Sequence, residues 1–249
     1  MKKYTWKPDL PDHRDYNFSD LAKAVTVPPA KVDLRSQLSP VEDQGQLGSC
    51  TANALVGAME YNENCASPST FVDLSRLFIY WNERSIEGTV GTDSGAMIRD
   101  GIKSLASFGV CKEATWPYNI AKFRAKPTSK CFTEAKVFKI SSYYRVDSTD
   151  ANQMRLALAN GNPFVFGFSV YDSFESATVA TTGILNIPAK TEKLLGGHAV
   201  LAVGYDDATQ CFLVRNSWGS NWGQSGYFTI PYAYLTNRNL ADDLWVIIK

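Results

Sequence analysis

No stretch of this sequence stays apolar long enough to cross a membrane as a helix, which takes about 18 residues or more. Charge of one sign is not in excess either. Lys and Arg total 25 and Asp and Glu total 25, so the basic surplus of a nucleic-acid binder is missing. Cysteine and histidine are scarce, at five and two. No two cysteines stand closer than fifteen positions, which excludes C-x-x-C zinc and redox pairs. Five is odd, so at least one thiol stays unpaired within the chain. Lys7, Asp9 and Asp12 interrupt the start where an apolar signal-peptide core would lie. The expectation is a cytoplasmic protein, with signal-independent export as the other route.

What is present suits a folded chain of 249 residues, with 45% hydrophobic and 20% charged side chains. Residues 1–29 carry Pro8, Pro11, Pro28 and Pro29 and little periodicity, apart from one short turn at Leu21, Ala22, Ala24 and Val25. They read as an extended strap lying on the rest. Beyond Leu47 helices dominate. Ser49 is placed to cap a helix bearing Ala52, Leu55, Val56 and Met59 on one face. The pattern predicts further helices over about 73–83, 95–108 and 151–159. Strands are expected at Phe164–Val170, His198–Tyr205, Cys211–Arg215, Tyr227–Ile230 and Leu244–Ile248. A helical half followed by a sheet half implies an α+β protein of two lobes, about 40–140 and 141–249, within one domain from residue 30 onward. A ligand cleft is expected between them.

Four residues carry chemistry when taken together, although each alone is more often structural. Cys50 falls in the first turn of a helix, where free N–H groups and the helix dipole favour a thiolate. His198 lies in an apolar strand behind Gly196 and Gly197, which leave room beside its ring. Asn216 follows eighteen residues later, a spacing that two neighbouring antiparallel strands bring side by side. Its carbonyl can hold the imidazole, with Trp218 shielding the bond from water. Gln44, six residues before Cys50, can aim a side-chain N–H beside the sulfur and form an oxyanion hole with the Cys50 backbone N–H.

These residues and their order resemble the papain/cathepsin family of cysteine peptidases. The likeness runs from Val32-Asp33-Leu34-Arg35 to Gly226-Tyr227-Phe228-Thr229-Ile230. It includes Leu47-Gly48-Ser49-Cys50-Thr51, Gly91-Thr92-Asp93-Ser94-Gly95, Trp116-Pro117-Tyr118, the Gly-His-Ala-Val around His198 and the Asn-Ser-Trp-Gly-Ser-Asn-Trp-Gly from Asn216. The Cys-Thr-Ala-Asn variant with a short leading segment looks like the bacterial, xylellain-type branch.

The resemblance implies a papain-like two-lobed fold, with a mainly helical N-terminal lobe and an antiparallel, barrel-like sheet lobe. It implies Cys50 as nucleophile, His198 as acid/base, Asn216 as orienting group and Gln44 as oxyanion donor. Ser94 and Gly95 would bind substrate backbone. Met97, Gly167 and Ala199 would line the pocket for the second residue before the scissile bond, with Trp218 nearby. A peptide or protein is the implied substrate, endopeptidase the implied mode and a monomer the implied state, with no metal or organic cofactor. A thiol acyltransferase and a non-catalytic binding relative are the alternatives. Two departures stand out. Leu47 and Thr92 occupy both ends of the family's usual disulfide, and Thr51 replaces a usual Trp, which would reshape the leaving-group side. The strap, shorter than the family's leading segments, is expected to drape over the enzyme and cover part of the cleft.

Overall fold

A computed structural model describes residues 2–21, 24–68 and 71–249. In chain order its elements are β1 (Lys31–Asp33), α1 (Cys50–Ala66), α2 (Arg76–Ile86), α3 (Ile98–Ser107), α4 (Ser129–Ala135), β2 (Ser142–Arg145), α5 (Ala151–Ala159), β3 (Phe164–Tyr171), α6 (Ala177–Thr182), β4 (Leu194–Asp206), β5 (Cys211–Arg215), β6 (Tyr227–Pro231), α7 (Tyr232–Leu235) and β7 (Ala241–Ile248). The strands form one antiparallel sheet in the order β2-β7-β3-β4-β5-β6, with β1 added against β4.

The pleat explains how one sheet serves two cores. Along β4, Ala199, Leu201 and Val203 face one way and join the core built by α1, α2 and α3. Val200 and Ala202 face the other way, onto Phe164, Phe166, Phe168, Val214 and Phe228. Alternate residues of a strand point to opposite faces, so β4 must be apolar throughout. Helix α1 lies between sheet and helices, and its residues from Cys50 to Tyr61 are all buried. That seats the start of α1 against β4 at the junction of the two lobes.

Most expected elements are present, with shifted ends. The second helix begins at Arg76 rather than 73, because the Ser75 hydroxyl accepts the Phe78 N–H and caps it there. Helix α3 begins only at Ile98, after the left-handed backbone of Gly95, φ +67°. Strand β4 starts at Leu194, ahead of the expected His198. Cys65 and Cys131 lie in α1 and α4, and all five thiols are unpaired. Cys111 is buried, whereas Cys211 is partly exposed on β5. The short turn expected near Leu21 falls partly on Ala22, outside the described residues. A single 3-10 turn stands earlier, at Phe18–Asp20.

Candidate active site

Helix α1 presents Cys50 at its first turn. Ser49 occupies the N-cap position, but its hydroxyl does not cap. It pairs with the Tyr118 hydroxyl at 2.5 Å and accepts from Asn53 Nδ2 at 3.1 Å. The first-turn N–H groups are therefore left for the sulfur and for an incoming oxygen. The Cys50 sulfur lies within reach of the backbone N–H groups of Ala199, Thr51 and Cys50 itself. Thr51 is fully buried and donates to Glu83 Oε2 at 2.9 Å inside the helical lobe, so its side chain does not face the cleft as expected of that position.

His198 sits on β4, directly before Ala199, and β5 ends where Asn216 begins. Asn216 Oδ1 accepts the Ser217 N–H at 2.8 Å, which fixes it as an acceptor. At 2.9 Å from His198 Nε2 it therefore receives a proton from that nitrogen. The opposite nitrogen, Nδ1, is left as the base. It is buried without a hydrogen-bond partner. The Trp218 ring lies 5.3 Å from the imidazole, centre to centre and tilted 30°, and covers it.

Gln44 is buried and held at both ends of its amide. Its oxygen accepts from Ser217 Oγ at 2.6 Å, and one N–H is given to the Leu47 carbonyl at 2.9 Å. An amide has two N–H groups, so the second stays available.

Residues 2–7 run through the cleft between these groups and alternate like a strand. Even positions face the sheet lobe. Lys2 lies over Trp218 at 5.3 Å and pairs with Asp43 at 3.1 Å. Tyr4 meets His198 edge-on at 6.1 Å and donates to Glu175. Trp6 covers Gly167 and Gly197. Odd positions face the helical lobe. Lys3 pairs with Asp93, Thr5 donates to the Gly48 carbonyl at 2.9 Å, and Lys7 pairs with Glu87 at 2.9 Å. The Trp6 N–H is given to Gly197 and the Lys7 N–H to Ala96. The segment is parallel to both cleft edges, at Gly197 and at Met97.

Beyond the cleft the strap is clamped by buried acids. Asp9 accepts from the Arg99 N–H and from Trp245 Nε1, and gives its own N–H to Asp243. Arg99 also reaches Asp15.

Of the sequence-predicted substrate residues, Gly95, Gly167 and Met97 touch the strap. Ala199 is buried in the core, and the Ser94 hydroxyl turns away to Thr89 and the Gly95 carbonyl. Trp6 and Asp93 carry contacts that residue spacing did not single out. The available signals were an isolated indole in a proline-rich strap and an acid in the glycine-rich edge.

Burial shifts both reacting groups. Burial pushes the Cys50 thiol up to about 11. Burial, with Lys2 nearby, pushes His198 down to about 4, against the raising effect of Asn216. Both shifts favour the neutral forms while the cleft is covered.

The chain matches the sequence model described as papain family cysteine protease over residues 28–244. An uncharacterised peptidase C1-like protein of Acanthamoeba polyphaga mimivirus is 46% identical over 236 residues, 92% of this chain and 73% of that protein. Cysteine proteinase 3 of Dictyostelium discoideum is 32% identical over 205 residues, 80% of this chain and 58% of that one. Among solved structures, xylellain, a cysteine protease from Xylella fastidiosa, has 44% identity and a TM-score of 0.90, covering 99% of this chain and 96% of that chain.

Proposed function

Because the chain belongs to the papain family of cysteine proteases, with its two-lobed α+β fold, we propose that it hydrolyses peptide bonds through Cys50 and His198 and is held latent by residues 2–7. The carrying observation is the Nε2-protonated imidazole, fixed by Asn216, with its Nδ1 buried and unpartnered, on the residue directly before Ala199, whose backbone N–H reaches the Cys50 sulfur.

Once the strap leaves, water returns and Lys2 is removed from Trp218. Both changes favour the imidazolium, and the thiolate gains it as a counter-ion. The thiolate attacks the peptide carbonyl carbon. The oxyanion is met by the Cys50 N–H and the free Gln44 N–H. His198 protonates the leaving amine, then draws a proton from water that releases the acyl group and regenerates the thiol.

The strap escapes this chemistry by direction. It runs from Trp218 towards Met97. A substrate with its second residue in the Gly167 pocket would run the other way. The strap's carbonyls are thus presented in reverse. Its position on both sides of His198, from Lys2 over Trp218 to Lys7 beside Met97, supports an endopeptidase. The site is completed by one chain, which supports action as a monomer. The likeness to xylellain supports a bacterial branch, although the viral relative is of similar identity.

The test is labelling with an epoxysuccinyl peptide inhibitor, in the full chain and in a variant lacking residues 2–7. The adduct should map to Cys50, form faster in the shortened chain and vanish in His198→Ala. Equal labelling of both chains would refute latency, and labelling elsewhere would refute the nucleophile.

A further inference from the structure

Two of the five cysteines stand apart from the cleft and meet each other. Cys111 follows the end of α3, and Cys131 lies on α4, twenty positions on. Both are fully buried in the core of the helical lobe, and their thiols are hydrogen-bonded to each other. The Thr128 hydroxyl is a second contact of Cys131, 3.3 Å from its sulfur. Cys65, the exposed thiol on α1, lies against Gln37 instead, at 3.4 Å.

The backbone holds the two segments side by side. The Val110 N–H is given to the Phe138 carbonyl at 3.0 Å, and the Lys112 N–H to Glu134 Oε2 at 3.1 Å. Gly109 lies so close to α4 that a Cβ on it would stand 2.0 Å from the Ala135 carbonyl oxygen. The other edge of this segment faces the start of α2. There the Cys111 carbonyl accepts the Ser75 N–H at 2.8 Å, and the Glu113 N–H is given to the Asp73 carbonyl at 2.9 Å. The approach of the two sulfurs is thus set by contacts on either side of Cys111, not by side-chain reach alone.

Burial, with Cys131 beside it, pushes the Cys111 thiol above its ordinary range. The thiolate is the attacking form, so the closed pair is unreactive. Helix α4 is the way in. It is seven residues long and buries only Cys131 and Ala135, so it opens more readily than α1 or α2.

We propose that Cys111 and Cys131 are a modification site, a dithiol that a low-molecular-weight disulfide such as oxidised glutathione converts to a Cys111–Cys131 bridge. When α4 opens, one thiol loses its proton and its thiolate attacks a glutathione sulfur. A mixed disulfide forms, and one reduced glutathione leaves with that proton. The second cysteine, deprotonated in turn, attacks the protein sulfur of the mixed disulfide and releases the second reduced glutathione. The chain gives up two electrons and two protons, and one glutathione disulfide becomes two thiols.

The bridge closes a loop that contains Trp116 and Tyr118. The Trp116 carbonyl accepts the Ser75 hydroxyl at 2.6 Å, and Ser75 caps α2. The Tyr118 hydroxyl pairs with Ser49 at 2.5 Å and donates to the Gln44 carbonyl at 3.0 Å. Bridging therefore ties α4 to the segment that holds the nucleophile loop. It does so in a lobe where Leu47 and Thr92 replace the disulfide that the resemblance expects. The site does not depend on the peptidase reading.

For the test, the full chain is held in oxidised glutathione a few degrees below its melting temperature, then alkylated under denaturing conditions and digested without reduction. One intramolecular bridge is expected, with a mass lower by about 2 Da and one linked peptide pair holding Cys111 and Cys131. The melting temperature should rise by several degrees, because closing a loop of about 20 residues restricts the unfolded chain. Dithiothreitol should reverse the rise. Cys111→Ser should lose both the linked peptide and the rise, and Cys131→Ala makes the same test should the Ser variant not fold. Free Cys111 and Cys131 in the oxidised chain, or a bridge from either of them to Cys65 or Cys211, overturns the proposal. A Cys111–Cys131 bridge that lowers the melting temperature overturns it as well, because the native pair would then be misaligned for the bond.

Discussion

The indole of Trp6 fills the space that a side chain on Gly167 would need: a Cβ built on that glycine would stand 1.9 Å from the ring. A second glycine, Gly197, has the same relation to it, with a Cβ at 2.6 Å from the ring. The two bare backbones make a flat seat, and the indole is the largest apolar contact the strap makes within the cleft. Burying most of such a ring contributes on the order of 2 kcal/mol. Trp6→Ala should therefore shift the closed-to-open balance by about 30-fold towards open. The measure is the initial rate of hydrolysis of a small fluorogenic peptide by the full chain. A rate equal to that of the unchanged chain would mean that Trp6 does not hold the strap.

Acidity should act on the strap's two ends in opposite directions. At His198 the ring lies well below its ordinary range, at about 4, while covered. The covered state thus binds fewer protons than the open one between about 6.5 and 4, so its stabilisation is present at high pH and lost as pH falls through that window. At the anchor, burial and Asp9 push the Asp243 carboxyl up to about 7, against the lowering effect of Arg145. There the docked state takes up a proton. Its stabilisation is present at low pH and lost as pH rises through about 7. Hydrogen exchange, corrected for intrinsic rate, should show residues 4–7 less protected at pH near 4.5 than at pH near 7, and residues 9–15 the reverse. Parallel changes at both ends would defeat this prediction.

Gln44 keeps one free N–H on the loop that leads into Cys50, with its other amide contacts made to Leu47 and Ser217. Loss of an oxyanion donor typically costs about 10²–10³ in rate. Gln44→Ala in the strap-opened chain should lower kcat by that factor with a smaller change in KM, because the donor acts chiefly on the transition state. Gln44→Glu keeps the shape and the acceptor for Ser217 but cannot donate when ionised, so it should be equally impaired. A Glu variant with near-normal kcat would remove Gln44 from the oxyanion hole.

The parts of the fold that were legible are those where one face of an element decides its burial. Leu55, Val56 and Met59 mark α1, and the apolar run around Val200 marks a strand buried on both faces. The juxtaposition of His198 and Asn216 was legible too, since β4 and β5 are consecutive antiparallel neighbours. Helix α4 was not, because only Cys131 and Ala135 of its residues are buried, and two positions make no stripe. Strand β2 was missed because all four residues are half-buried and give no alternation. Asp93 was hidden for a different reason. Its partner Gly48 is 45 positions away and contributes only a backbone N–H, which no residue type announces. The opposite shifts of Cys50 and His198 come chiefly from burial, which residue identity alone could not convey.

Glu60 gives a prediction about stability that leaves the cleft untouched. It is buried on α1, accepts the Leu74 N–H at 2.9 Å and the Ser39 hydroxyl at 2.6 Å, and lies near Arg215, which donates to the same Ser39 hydroxyl. Burial pushes its carboxyl up to about 7, more than these donors and Arg215 pull it down. An acid whose folded value is raised contributes stability that is present below its unfolded value and lost as pH rises through the folded one. The loss here falls between about 4.5 and 7 and amounts to on the order of 3 kcal/mol. Gln at this position accepts from Leu74 with its oxygen and donates to Ser39 with its nitrogen, and it never ionises. The fall in melting temperature from pH near 5 to pH near 8 should therefore be several degrees smaller in Glu60→Gln than in the unchanged chain. An identical fall in both proteins would mean that Glu60 keeps its charge state across that range, sustained by Arg215 through the Ser39 contact.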